Sequence, residues 1–473
     1  MSDVIVSTRE RGRTVLRRAS GAIALLASLW LIWLIVSDGG AVTVFGVLIR
    51  SHDRLRPLVL CAISIALFLF SGGYAACVNA LAGVASRPVV RLLSSRVAHH
   101  VLVTTLSVVL LVIGIAYGST TAGGSDSYGY LSQADLWLSG RLTIPQPWVK
   151  DVPWPKAMET FSPLGYLQHG PTMFTLGGFQ RERDPWAIVP AYSPGLPMLM
   201  AIGKTIGGAC GPFVVVPLAG ALLVLSTYLI GIRLASSTLG LLAALLLATS
   251  PPFLLMHFVN MSDVPVAAAM AIAWWCLLGT SIGSAAGGSL ALAAVLLIRP
   301  NLVPLVPIIV GWLAWRIWQE RRDRSRHLWR AAIVLGGIGA ASLVTADIYW
   351  LLHGSPFQSG YGATEAYFSP SHVGPNLRNY ATWFTEAHTP LAVLGFVALA
   401  FPVKALWPDV ADRSAVAAFA LLTVIVIVEF LFYLVFDDSS YLRFLLVFYP
   451  FIMLGLASIA QAIARLHRLA GPA

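Results

Sequence analysis

The sequence predicts an all-α, polytopic membrane protein of about twelve transmembrane helices. Three observations carry that reading. Of the 473 residues, 57% are hydrophobic and 11% are charged, against roughly 45–50% and about 25% in an ordinary soluble domain. The apolar residues fall in runs close to the ~20 that a helix needs to cross a bilayer. Lys and Arg gather between alternate runs, as the positive-inside rule requires. The net charge of +10 therefore reads as topology signal and contact with anionic membrane lipids. No nucleic-acid-binding motif is present, and nucleic acid is not an expected partner.

The elements follow in order. Arg9, Arg11, Arg13, Arg17 and Arg18 precede an apolar run at 22–36. This resembles the start of a signal peptide, but Ser37-Asp38-Gly39-Gly40 is a poor cleavage site, so an uncleaved signal anchor is expected. Further candidate spans are 57–80, 101–118, 212–232, 239–255, 264–280, 288–299, 302–318, 332–351, 391–405, 415–436 and 444–462. An additional apolar run at 192–207 is expected to lie flat or re-enter. If it crossed, every later loop would change sides and the Lys/Arg bias would vanish. With the basic N-terminus inside, both termini are cytoplasmic. The run Arg321-Arg322-Asp323-Arg324-Ser325-Arg326 is then the strongest cytoplasmic anchor, and 41–56, with Arg50, Arg54 and Arg56, is the awkward outer segment. Cys61, Cys77, Cys210 and Cys276 show no metal spacing and no disulfide framework.

Two outer loops are long: 119–211 and 352–390. The first holds Trp137, Trp148, Trp154 and Trp186, enough aromatic surface to pack or to lie at the interface. Its prolines preclude one long helix. Residues 126–140 are the exception, with Tyr130, Ala134, Trp137 and Leu138 at helical spacing and Gly140 as the stop. The chain thus divides into an N-terminal cytoplasmic segment with two spans (1–100), a membrane core (101–462) and a cytoplasmic tail (463–473).

Four groups have the composition for chemistry, all expected at the outer face. Gly123-Gly124-Ser125-Asp126-Ser127-Tyr128 opens a short helix. By position Asp126 is an N-cap; beside glycines that admit a substrate it also suits a general base or metal ligand. Asn260-Met261-Ser262-Asp263-Val264-Pro265 poses the same alternatives for Asp263. Arg299-Pro300-Asn301 breaks one apolar segment from the next, and an arginine there is either snorkelling or functional, as a phosphate ligand. Asp437-Asp438-Ser439-Ser440-Tyr441-Leu442-Arg443 either marks a loop or brings Arg443 to a lipid phosphate. Glu429 and Asp347 lie within apolar runs, Asp347 near an outer end. His169, His353, His372 and His388 form no metal motif.

The order of these motifs resembles the type C glycosyltransferases, in the bacterial branch near the protein O-mannosyltransferases and aminoarabinose transferases. Asp126, Tyr130, Ala134 and Gly140 match that family's first-loop motif, although Ser127 stands where a second acid is common. Tyr192-Ser193-Pro194-Gly195-Leu196-Pro197 resembles its Tyr-Pro-Pro-Gly segment. Ser250-Pro251 through Pro265 is similar to the stretch before a core helix, Arg299-Pro300-Asn301 to its Arg-Pro step, and Arg443-Phe444 with Pro450 to its last core helix. The resemblance covers about 101–462. It implies a large first catalytic loop outside the cytoplasm of a bacterial cytoplasmic membrane, and a polyprenyl-phosphate sugar donor with a lipid, glycan or protein acceptor. The reaction it implies is inverting, with Asp126 and Asp263 catalytic and Tyr128, Tyr130, Tyr192, Arg299 and Arg443 contacting substrate. A divalent metal is a possible cofactor. The competing readings are a transporter or flippase of lipid-linked sugars, against which no internal repeat stands out, and an inactive relative, which the Ser127 departure keeps open.

Overall fold

The structure is a computed structural model that describes residues 2–37, 40–44, 47–51, 55–71, 95–168, 174–176, 179–181, 186–361, 368–388, 392–400, 406–407, 431–436 and 441–469. The chain forms two compact units. One comprises Met1–Ser95 with Ala470–Ala473, the other Arg96–Leu469.

In the first unit a long helix, α1 (Ser2–Ser37), packs on α2 (Leu55–Phe70). Between them two short antiparallel strands, β1 (Gly40–Val44) and β2 (Val47–Ser51), form a hairpin. That hairpin is the awkward segment at 41–56, and β-branched Val42, Thr43, Val44, Val47 and Ile49 account for it.

The second unit is a helical bundle. Its α3 (Arg96–Tyr117) buries only the stripe His99, Val103, Ser107, Leu110 and Gly114, the pattern of a peripheral helix with its remaining faces turned outward. The long segment after α3 begins with α4 (Ser125–Leu138), ended near Gly140 at φ 70°. It continues into a small antiparallel sheet in which β7 (Ala187–Pro190) is the central strand, between β3 (Ile144–Pro145) and β4 (Tyr166–Gln168). A separate hairpin joins β5 (Phe174–Leu176) to β6 (Phe179–Arg181). Then α5 (Gly195–Gly207) turns back onto α6 (Gly211–Leu234) at Gly208, whose φ is 60°. Gly203 and Gly211 touch backbone to backbone across this bend; along a straight helix they would be about 12 Å apart. The 192–207 run thus folds back beside the next helix.

The expected span at 239–255 is broken: α7 (Ser237–Ala248) and α8 (Pro251–His257) meet at 65°, because Pro251 and Pro252 cannot continue the helix. Next come α9 (Asp263–Leu277), α10 (Ile282–Ile298), α11 (Leu305–Gln319) and α12 (Arg324–His353), then α13 (Val373–His388), α14 (Val393–Ala400) and α15 (Tyr449–Leu469). The core centres on α9, which is buried on every side. Its run of alanines between Val266 and Trp274 lets α6 and α10 approach closely. Among the described residues five helical stretches are long and apolar enough to cross a membrane, or six if the bent pair counts as one. The expected twelve included shorter apolar helices, among them α9, α10 and α11. The 415–436 span, with Glu429, lies largely outside the described residues. The chain is a multi-pass membrane protein with an all-α core.

One tight spot holds three helices together. His257 is fully buried; its Nε2 lies 3.0 Å from the Leu110 carbonyl, and its ring occupies the space beside Gly114 and Gly220. A Cβ on Gly220 would stand 2.1 Å from the His257 ring, whereas one on Gly311 meets nothing within 4 Å. Gly220→Ala is therefore expected to destabilise the protein by about 1–3 kcal/mol through overpacking. Gly311→Ala should be neutral or stabilising by up to about 1 kcal/mol. Thermal unfolding of both variants in detergent checks the contrast.

Candidate active site

The site is built where the start of α4, the entry to α5, the start of α9 and the end of α10 converge. Neither candidate aspartate caps its helix. Gly124 is the N-cap of α4 and Ser262 that of α9, and neither makes a side-chain capping bond. The carboxylates turn to each other's neighbours instead. Tyr192 donates its phenol to Asp126 Oδ1 at 2.7 Å, and Arg443 approaches Asp126 Oδ2 at 3.7 Å. Arg299 pairs directly with Asp263. The two pairs differ in access: the side chains of Asp126 and Arg443 are 33% and 26% exposed, those of Asp263 and Arg299 1% and 12%. One pair can meet a substrate; the other is sealed.

Close backbone approaches set this geometry. Gly195 at the start of α5 lies so near Leu297 and Ile298 that its Cβ would stand 2.4 Å from a backbone nitrogen. That crossing brings Tyr192 beside the helix end that carries Arg299. The Tyr192 ring lies flat against Gly129, whose Cβ would be 2.3 Å from it, and under Gly165, at φ 92°. Gly360, in the segment after α12, packs on Ala191 and brings Tyr361 edge-on to Tyr192 at 6.1 Å. Tyr130 donates to Ser262 at 3.3 Å and packs on Tyr192 at 5.0 Å. With Ala134, Leu196 and Met200 these tyrosines form a second small core under the site. Burial pushes the Tyr130 and Tyr192 phenols well above the ordinary tyrosine range, so both stay protonated donors.

Arg443 and Arg299 both lie over Phe444, at 5.3 and 5.9 Å from its ring centre. Their attraction to the ring face holds two cations in one neighbourhood. The second Asp263 oxygen and one Arg299 nitrogen have no hydrogen-bond partner among the described residues.

Six of the seven residues singled out from the sequence thus share one site: Asp126, Tyr130, Tyr192, Asp263, Arg299 and Arg443. Tyr128 does not. Two positions along α4 from Asp126, it faces away and packs near Tyr166. Asp347 is exposed on α12, and Asp437, Asp438 and His169 lie outside the described residues. Sequence reasoning missed Gly129, Ser262, Tyr361 and Gln133. Gln133 is fully buried on α4, with both amide atoms unpartnered among the described residues. A glutamine two turns after Asp126 on one helical face was the available signal.

The donor set does not fit a divalent metal. Each aspartate already faces a guanidinium, and Ser127, at the position of the missing acid, donates to the Met261 sulfur at 3.8 Å. Among the described residues no three His, Cys, Asp or Glu side chains gather as ligands.

The Gly129–Tyr192 contact should show as coupling. Gly129→Ala is expected to cost about 1–3 kcal/mol where Tyr192 is present and much less in a Tyr192→Ala background, a difference that a double-mutant cycle of unfolding measurements reads directly.

No protein-family model matches the sequence, and no curated protein does. Solved structures do resemble it. ArnT from Cupriavidus metallidurans bound to undecaprenyl phosphate is 15% identical, with a TM-score of 0.44 over 76% of this chain and 59% of that one. The Archaeoglobus fulgidus oligosaccharyltransferase in its apo form is 13% identical, with a TM-score of 0.48 over 79% of this chain and 51% of that one. The archaeal oligosaccharyltransferase AglB from the same organism, in complex with an inhibitory peptide and a dolichol-phosphate, is 12% identical, with a TM-score of 0.44 over 79% and 51%. The chain spans somewhat over half the length of these structures. They are type C glycosyltransferases, the family whose motif order this sequence resembles.

Proposed function

We propose that the protein is a membrane glycosyltransferase that moves a sugar from a polyprenyl-phosphate donor to a lipid, glycan or protein acceptor. The observation that carries this reading is the half-open Asp126 carboxylate, held by Tyr192 and flanked by the Arg443 cation. A base and an anion ligand side by side are what displacement at a glycosyl phosphate requires.

In the proposed reaction Asp126 accepts the proton of an acceptor hydroxyl or amine. The freed lone pair attacks the anomeric carbon from the face opposite the phosphate, a new bond to carbon forms, and the bond from that carbon to the phosphate oxygen breaks. The sugar is transferred with inversion, and polyprenyl phosphate leaves. Arg443 meets the charge that grows on the leaving phosphate; in a site shielded from water such a contact is worth more than in solvent. Tyr192 keeps the carboxylate oriented. Asp263 acts through Arg299: the sealed pair holds the start of α9 against the end of α10 and so positions the Phe444 ring on which Arg443 rests. Tyr130 supports Tyr192 from below. The buried position of Asp263 favours this holding role over direct proton transfer.

The same proposal puts the site at the outer face of a bacterial cytoplasmic membrane, with both termini inside. A reporter fused after residue 150 is expected to be active outside the cytoplasm; cytoplasmic activity would remove the donor's compartment and the proposal with it.

In membranes supplied with candidate polyprenyl-phosphate sugars, Asp126→Asn should lower sugar transfer by about 10²–10⁴-fold at unchanged protein level. Tyr192→Phe should lower it by about tenfold, the worth of one orienting hydrogen bond. Full activity of Asp126→Asn would refute the base assignment. Movement of lipid-linked sugar across the membrane without covalent transfer would identify a transporter instead.

A further inference from the structure

A second group of charges lies at the far end of α9, about 18 Å along the helix from Asp263. It joins the ends of α6 and α11 to the start of α12, and the proposed reaction makes no use of it. Arg233, near the end of α6, donates to the Trp275 carbonyl and stacks over the Trp275 ring at 4.5 Å. Arg316, near the end of α11, lies 3.4 Å from Glu320, itself half exposed. Arg330, in the second turn of α12, is 3% exposed. It is repelled by Arg316, Arg233 and Arg326, and His327 beside it is repelled by Arg330 and Arg316.

The charges here do not balance. Arg326 pairs with Asp323 at 3.6 Å out on the surface, which among the described residues leaves Glu320 as the acid beside the buried Arg330 and half-buried Arg316, with the exposed Arg233 at the rim. Arg330 makes no ion pair and no hydrogen bond among the described residues, and its Nε and that of Arg316 are buried without a partner. An unneutralised guanidinium in an apolar bundle costs several kcal/mol, so the cluster calls for an anion with several acceptor oxygens, and a phosphate supplies them in the geometry that arginine matches.

The surroundings indicate where that phosphate comes from. Trp318 and Trp329 flank the cluster and are 64% and 66% exposed, with Leu328 beside them at 50%. Large exposed tryptophans at helix ends mark the membrane–water boundary, and basic pockets between helices at that depth take lipid headgroups. We infer that Arg233, Arg316 and Arg330 form a binding site for the phosphate of an anionic membrane lipid, at the end of the bundle opposite the Asp126 site.

The test uses the full chain purified in neutral detergent, with thermal unfolding and native mass spectrometry read during titration with phosphatidylglycerol, phosphatidylcholine or inorganic phosphate. Phosphatidylglycerol is expected to raise the unfolding temperature and remain bound, and the other two are expected to do neither. Arg330→Met and Arg316→Gln should each weaken retention of phosphatidylglycerol by about tenfold or more, whereas Arg321→Gln with Arg322→Gln on the adjoining exposed turn should leave it unchanged. Without lipid, Arg330→Met should unfold no earlier than wild type, since it removes a charge that has no partner. Equal stabilisation by inorganic phosphate would overturn the lipid assignment. Undiminished retention in Arg330→Met and Arg316→Gln, or an Arg330→Met protein that unfolds well below wild type without lipid, would overturn the site.

Discussion

The buried pair of Asp263 and Arg299 is the interaction on which the rest of the site depends. Asp263 opens the most enclosed helix of the bundle, and Arg299 closes the helix beside it at the Pro300 break. Taken singly, either charge is untenable at this depth; removing one partner of such a pair typically costs about 3–5 kcal/mol. The pair therefore fixes the start of α9 against the end of α10. Everything near the candidate site is referenced to that junction: Ser262 receives Tyr130, Gly195 crosses Ile298, and Phe444 lies beneath both Arg299 and Arg443.

From that fixed junction the chain builds outward by close contact. Gly195, Gly129, Gly165 and Gly360 each stand where a Cβ would collide with a ring or a backbone, so the tyrosine layer sits directly on the helices instead of a side chain's width above them. This keeps Tyr192 in reach of Asp126 from a different segment of the same loop. The division between a sealed ion pair and an accessible one follows. The sealed pair supplies rigidity, and the accessible pair is left to meet a substrate, in keeping with the usual need for a functional group to be held by others that are not themselves free to move.

Much of this was legible in the sequence. Helix periodicity found α4, from Tyr130, Ala134 and Trp137, and an arginine wedged between two apolar runs marked Arg299. The apolar run at 192–207, set against the charge bias of later loops, pointed to a segment that lies flat or re-enters; the bend at Gly208 that lays α5 along α6 is set by a positive φ no apolar pattern reports. Other features were hidden for physical reasons. A helix N-terminus and an active-site acid share one local pattern, so position could not separate a capping Asp126 from one turned to Tyr192. Tyr361 reaches the site through a backbone contact between Gly360 and Ala191, more than a hundred residues apart, which no local signal reports. Tyr128 and Tyr130 were both implied by the resemblance as substrate contacts, yet two positions along a helix are about 200° apart, and Tyr128 faces Tyr166. The β1–β2 hairpin was hidden because its strands are five residues each and mostly apolar on both faces, so they do not stand apart from the apolar runs around them.

The central claim is that the Asp126 neighbourhood receives the phosphate of a lipid-linked donor. A cryo-electron microscopy structure of the chain in nanodiscs with undecaprenyl phosphate tests it most directly. The account predicts phosphate density on the Arg443 guanidinium beside Asp126, with the Asp263–Arg299 pair intact beneath it. Density for the phosphate elsewhere, with Arg443 and Asp126 joined only to each other, would contradict it.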